Sequence, residues 1–198
     1  MQSLYECLPY SVEYKGRIYK IKPYFDNVLQ VFGIYQDKVL SDMQKLDIAC
    51  RLLLVGRIKL NESDKVGIIN LIFETIISSK KNDTDNTKSF DFLQDSQYIY
   101  ASFMYDYGID LFQQQAKLHW WKFIALFNSL SESSKMSQII SIRIRPIPAP
   151  DKYNAEMIDS LMKAKAFYAL TFTQEEREKQ FVSGLYKLRN TLLSLANK

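Results

Sequence analysis

Helix breakers are rare in this chain: 198 residues contain 6 glycines and 5 prolines, and three of the prolines are bunched at positions 146, 148 and 150. A sandwich of many short strands needs a turn roughly every 8–12 residues, usually built on glycine or proline, and this sequence has too few of either. Long helices are the alternative, and apolar residues recur at helical spacing through most of the chain. The expected fold is mainly α, a helical bundle with a small N-terminal β-hairpin.

The hairpin is expected within SVEYKGRIYKIKP, residues 11–23, where Val12 and Tyr14 precede Lys15-Gly16-Arg17 and Ile18, Tyr19 and Ile21 follow. After Pro23, Phe25, Val28, Leu29 and Phe32 have helical spacing as far as Gly33. A second run begins near Asp42, and a third, Asp64 to Ser79, carries Val66, Ile69, Phe73, Ile76 and Ile77. The twelve residues SSKKNDTDNTKS, 78–89, then hold no apolar side chain and read as a solvated loop or linker. The expected organisation is therefore 1–79, hairpin plus helices; 80–89, polar linker; and 90–198, a C-terminal helical region, with a single continuous domain as the alternative.

Beyond the linker, Asp91-Phe-Leu-Gln94 reads as a capping box for a helix running to Tyr107, which Gly108 closes in the left-handed conformation. Asp110-Leu-Phe-Gln113 reads as the start of the next helix, continuing to Leu130. Leu118 to Leu130 is apolar over most of its circumference and is expected to be buried, whereas Gln115, His119, Lys122 and Ser129 form a narrow polar stripe placing His119 near water or a polar neighbour. Met136, Ile139 and Ile140 suggest a helix giving way to an extended exit through RPIPAPD. Asn154 or Asp151 caps a further helix. Thr173-Gln-Glu-Glu176 opens a last one, whose strip Phe181, Leu185, Leu188, Leu192 and Leu195 repeats at steps of four, three, four and three.

Chemistry is hard to find in these residues. The single histidine rules out H-E-x-x-H and two- or three-histidine metal sites, and no phosphate-binding glycine loop or nucleophile elbow occurs. Cys7 and Cys50 form no C-x-x-C pair, and a dyad of either with His119 has nothing nearby to stabilise a thiolate. Arg143, Arg145 and Lys135 read as a polar face rather than a phosphate patch. The formal charge is +4, with 13 basic and 11 acidic residues on each side of Phe90, so a nucleic-acid footprint is not expected. No basic-then-apolar leader and no run of about 18 apolar residues appears, so neither secretion nor membrane spanning is expected. No cofactor or metal is expected, and the reading is non-catalytic.

One resemblance adds what periodicity does not. DSQYIYASFMYDYGIDL, then LHWWKFIALFNSL, then IISIRIR resembles the signature of the bacteriophage gene-product-fifteen family, found in tail-gene clusters of siphophages and prophages of Gram-positive bacteria. The signature residues Tyr107, Gly108, Asp110, His119, Trp120, Trp121, Phe123 and Arg143 are carried over as marks of packing and fold, with no functional role transferred. The resemblance implies a tail assembly chaperone of the host cytoplasm, absent from the mature virion. Its implied partners are the tape-measure protein and the tail-tube protein, with self-association an additional expectation. A structural tail or head-tail subunit retained in the particle is the alternative, followed by a helical nucleic-acid-binding regulator. The 181–195 strip is the candidate interaction surface. Leu188→Asp unfolds the chain if the strip is internal, through an unpaired buried charge; if the strip is an interface, the variant keeps its circular dichroism spectrum and loses its partner in a pull-down.

Overall fold

The computed structural model describes residues 7–56, 58–77 and 89–171. The strip Phe181, Leu185, Leu188, Leu192 and Leu195 lies outside the described residues, as do the Thr173–Glu176 capping box and the linker, apart from Ser89. Among the described residues the fold is mainly α with one small hairpin: β1 Ser11–Tyr14, β2 Arg17–Lys20, α1 Phe25–Gln36, α2 Asp42–Leu53, α3 Glu62–Ile72, a π-helical turn Phe73–Ile77, α4 Ser96–Tyr107, α5 Trp120–Asn128, α6 Lys135–Ile144 and α7 Ala155–Phe167. The chain divides into two compact units, one of residues 1–82 and 95–137, the other of 83–94 and 138–198. Residues 95–137, grouped with the C-terminal half in the sequence reading, thus belong with the hairpin and the first three helices.

In the first unit β1 and β2 pair antiparallel with Tyr14 opposite Arg17, leaving a two-residue turn in which Lys15 (φ 50°) and Gly16 (φ 72°) are both left-handed. Two positive φ values match the right-handed twist of the flanking strands. The register sets Val12 against Tyr19, both buried, while Ile18 is exposed. The strand path continues beyond β2, with Lys22 N–H donating to Leu53 O (2.7 Å) and Val55 N–H to Lys20 O (3.0 Å) around an Ile21–Leu54 bridge. Tyr14 lies over α3 at Gly67, where a Cβ would overlap its hydroxyl and ring.

Two helix ends differ from the sequence expectation. Gly33 does not end α1: the helix runs through it to Gln36, since an interior glycine costs only about 1 kcal/mol and packing offsets it. The stop comes at Asp37, whose carboxylate accepts from Val39 and Leu40 N–H. Ser41 and Gln44 form a reciprocal capping box for α2, and Asn61 caps α3. Asp91 accepts from Leu93 and Gln94 N–H as a cap should, but four residues of turn follow and α4 begins only at Ser96. The Gln94 side chain reaches Ala169 O and Thr171 instead of returning to the cap.

The second unit holds Ser89–Gln94, the later part of α6, the extended proline segment and α7, as the prolines require. Arg143 ties it together: Nε donates to Tyr168 O (2.7 Å), a guanidinium nitrogen to Ser89 O (3.1 Å), and Lys165 Nζ donates to Arg143 O (2.7 Å). Asn154, expected to cap α7, accepts from Asp151 N–H and donates to Ala149 O, fixing the chain ahead of the helix.

Gly67→Ala is expected to cost about 1–3 kcal/mol by overpacking against Tyr14. In a Tyr14→Ala background the same change becomes neutral or stabilising by up to about 1 kcal/mol, through helix propensity. Urea midpoints of the four proteins in the cycle measure this coupling, and equal costs in both backgrounds would contradict it.

Candidate functional site

The signature residues between Tyr107 and Phe123 converge in the first unit. Their arrangement starts from two main-chain hydrogen bonds, Phe25 N–H to Leu118 O (3.0 Å) and Trp120 N–H to Pro23 O (2.7 Å), which make Tyr24 and His119 an isolated antiparallel bridge. Both bridge residues are extended, with ψ of 145°, and each is followed immediately by a helix. His119 is therefore the N-cap of α5, not a member of a helical polar stripe. Its Nδ1 accepts from Trp121 N–H (3.1 Å) and its Nε2 meets Pro9 O at 3.2 Å. A carbonyl only accepts, so Nε2 carries the proton and the ring is neutral.

Of the two surroundings expected for His119, water or a polar neighbour, the structure gives the second: the residue is 0% exposed and its partners are main-chain groups. The helix expected from Asp110 is corrected, because residues 111–117 form turns. Asp110 does act as a cap, accepting from Phe112 N–H and Gln113 Nε2, but the turn ends at Ala116 with φ 55°. Asp26 Oδ1 holds that strained residue by accepting from its N–H (3.0 Å). Burial lowers the His119 pKa, partly opposed by the Pro9 hydrogen bond, and Lys122 lowers it further. With Nδ1 and Nε2 engaged by Trp121 and Pro9, neither ring nitrogen is free for a thiol. Burial also pushes the Cys50 thiol up to about 11, the reverse of activation.

The adjacent tryptophans anchor one segment through two donors. Trp121 Nε1 donates to Ile76 O (2.6 Å) and Trp120 Nε1 to Ile77 O (3.3 Å), the last two residues of the π-helical turn. Trp120 is buried and Trp121 half-buried. Phe123, 0% exposed, is the centre of a ring cluster, stacked on Phe25 at 5.0 Å, Phe103 at 5.2 Å and Trp120 at 5.6 Å. Each such pair contributes about 0.5–1.5 kcal/mol beyond simple area burial. The buried face of α5 is Trp120, Phe123 and Phe127, while Ala125 is exposed and Ile124 and Leu126 are half-buried, so the helix is narrower in its burial than its composition suggests.

Tyr107 and Gly108 finish α4. Gly108 takes φ 63°, its N–H donates to Met104 O, and Tyr107 Oη donates to Leu126 O (2.9 Å). Arg143 lies in the second unit with the carbonyl partners described above. None of these groups lines the pocket between α2 and the start of α3. That pocket, of about 590 Å³, is in the first unit and is lined by Asp47, Cys50, Arg51, Leu54, Ile58 and Lys65 among others, with Lys65 paired to Asp47 at 2.6 Å. Among the described residues no group of three His, Cys, Asp or Glu could hold a metal ion, and no helix is long and apolar enough to cross a membrane.

What sequence reasoning missed is an exposed apolar face. On α7, Met157, Ile158, Leu161 and Met162 share one side at helical spacing, while Glu156, Asp159 and Lys163 share the other, with Lys163 paired to Asp159. Only Leu161 of the apolar side is buried; Met157 and Met162 are 54% and 53% exposed. The methionines were legible as helical periodicity, but periodicity does not say whether a face is covered.

Fold and site together define a small helical protein whose distinctive residues cap and pack its interior. The chain belongs to the Bacteriophage Gp15 protein family, whose model matches residues 4–170, and it is therefore a phage protein. No curated protein and no solved structure matches it.

Because this chain has one histidine, its stability between roughly pH 5.5 and 6.5 reports on His119. The unfolded imidazole, with a pKa of about 6.5, takes a proton before the folded one does. Stability is thus full above about pH 6.5 and is lost as pH falls towards the lowered folded value. His119→Gln is expected to cost about 1–3 kcal/mol at pH 7.5, by unpairing buried groups, and to flatten the dependence. Urea denaturation at pH 7.5, 6.5 and 5.5 checks this; a flat wild-type profile would sink it.

Proposed function

We propose that this protein is a non-catalytic tail assembly chaperone that binds the tape-measure protein in the host cytoplasm, assists assembly of the tail tube and is absent from the finished virion. The observation that carries the reading is the incompletely covered apolar side of α7 in a member of the Gp15 family. An amphipathic helix binds by laying its apolar face into an apolar surface, and flexible, polarisable methionines adapt to varied side chains along such a helix. A client that is long and helical presents many similar faces, so an adaptable surface suits it better than a shaped pocket. The marked residues of the first unit support the reading indirectly, since their hydrogen bonds and ring contacts serve capping and packing.

Co-expression with the tape-measure protein tests this. The wild-type chain is expected to raise the soluble fraction of the tape measure and to co-purify with it, and the tail-tube protein joins in a three-way pull-down. The double variant Met157→Glu with Met162→Glu is expected to keep its helical circular dichroism spectrum, since both side chains are more than half exposed, and to lose most of the co-purification. A tape measure equally insoluble with and without the wild-type chain counts against the chaperone. Stoichiometric recovery of the chain from purified virions by mass spectrometry favours a structural subunit instead.

A further inference from the structure

The pocket between α2 and the start of α3 is amphipathic. Leu54, buried, and Ile58 and Leu60, half-buried, give it an apolar wall. Asp47, Arg51 and Lys65 give it a charged one. Lys65 Nζ is 2.6 Å from Asp47 Oδ1, so that pair is neutral as a whole. Arg51 carries the remaining positive charge, and its guanidinium has no hydrogen-bond or ion-pair partner among the described residues. A helix C-terminus ordinarily repels an anion through its unpaired carbonyls. At the end of α2 those carbonyls are engaged: Cys50 O accepts from Leu54 N–H, Arg51 O from Lys22 Nζ and Leu53 O from Lys22 N–H. The volume, about 590 Å³, falls in the range of small-molecule sites, which run from about 300 to 1,000 Å³.

We propose that this pocket binds a small carboxylate carried on an aliphatic stem, with Arg51 holding the carboxylate and Leu54, Ile58 and Leu60 covering the stem. A guanidinium presents paired N–H donors in a planar fork that matches a carboxylate. One uncompensated positive charge suits a monoanion, whereas a phosphate group carries a charge nearer two and leaves the apolar wall unused. Such an acid is either a free fatty acid or the end of a peptide chain whose last residues are aliphatic, and the two present the same head and a similar stem.

Cys50 lines the same pocket, so its alkylation reports occupancy. Cys7 is the only other thiol in the chain, and Cys7→Ser leaves Cys50 alone. Burial pushes the Cys50 thiol up to about 11, so its reaction with neutral iodoacetamide is slow enough to be timed by mass spectrometry at pH 9. Octanoate, a small ligand, is expected to bind at roughly 1 mM, and ten times that concentration to slow the alkylation about tenfold by mass action. Octanamide, which has the stem without the charge, and inorganic phosphate, which has charge without the stem, are expected to change the rate by less than about twofold. Acetyl-leucyl-leucine with its free carboxylate stands for the peptide end; whichever acid protects at the lower concentration identifies the source. Arg51→Gln, at an exposed position, is expected to keep the circular dichroism spectrum and to raise the octanoate required tenfold or more. Leu60→Glu, which sets a like charge against the ligand, repeats the test should that spectrum change. Protection by neither acid overturns the proposal. Equal protection by octanamide or by phosphate overturns it as well, as does protection that survives Arg51→Gln unchanged.

Discussion

Two backbone hydrogen bonds across the Tyr24–His119 bridge set the geometry from which the first unit is built. They join points 95 positions apart in the chain, and from each of them a helix departs at once. Because α1 and α5 share this origin, Phe25 at the start of one stacks on Phe123 in the first turn of the other. His119 can stand at such a bridge because each ring nitrogen has a fixed task. One accepts from the first turn of α5 and the other donates to the chain ahead of β1 at Pro9. A side chain of the same size without two separate polar atoms would leave one of those groups unpaired in a buried place, at a cost of about 1–3 kcal/mol.

The tryptophan pair extends the same logic to the end of the third helix. Residues adjacent on a helix point about 100° apart, so two neighbours seldom serve one segment. Here both indoles reach successive carbonyls of the π-helical turn, Ile76 and Ile77, while Trp120 also stacks on Phe123. The turn, α5 and α1 are thereby linked by directional bonds as well as by apolar burial. Directional bonds select one arrangement of rings among the several that apolar contact alone would tolerate.

How much of this was legible depended on whether the deciding partner is near in sequence. The hairpin turn at Lys15-Gly16, the closure of α4 by Gly108 and the extended path after Arg145 are local chemistry, and each reads correctly from its own residues. The Ser41–Gln44 box is equally local, a Ser three residues before a Gln, and was open to the same reading. The stretch Leu111 to Lys117 was misread because its residues favour helix well enough, while the residue that decides the matter, Asp26, is 90 positions away. The helical-stripe reading of His119 failed for the same reason: its cap role exists only once Leu118 pairs with Phe25. Burial was likewise overestimated for α5, since composition reports what a helix can bury, and the neighbours decide what it does bury. The 181–195 strip lies outside the described residues.

A consequence follows for where binding resides. The residues that mark the family, from Tyr107 to Phe123, are held by ring contacts, caps and carbonyl bonds inside the first unit, and Arg143 performs the equivalent task in the second. Substitution at any of them removes a packing or hydrogen-bonding partner, so lost activity in such a variant reports on folding before it reports on recognition. Exposed apolar side chains are found elsewhere, among them Tyr105 on the outer side of α4 and Met157 and Met162 on α7, where replacement disturbs little of the interior. In this protein the residues easiest to recognise are the ones least suited to locating its partners, and variants that locate a binding surface have to come from the faces that no signature marks.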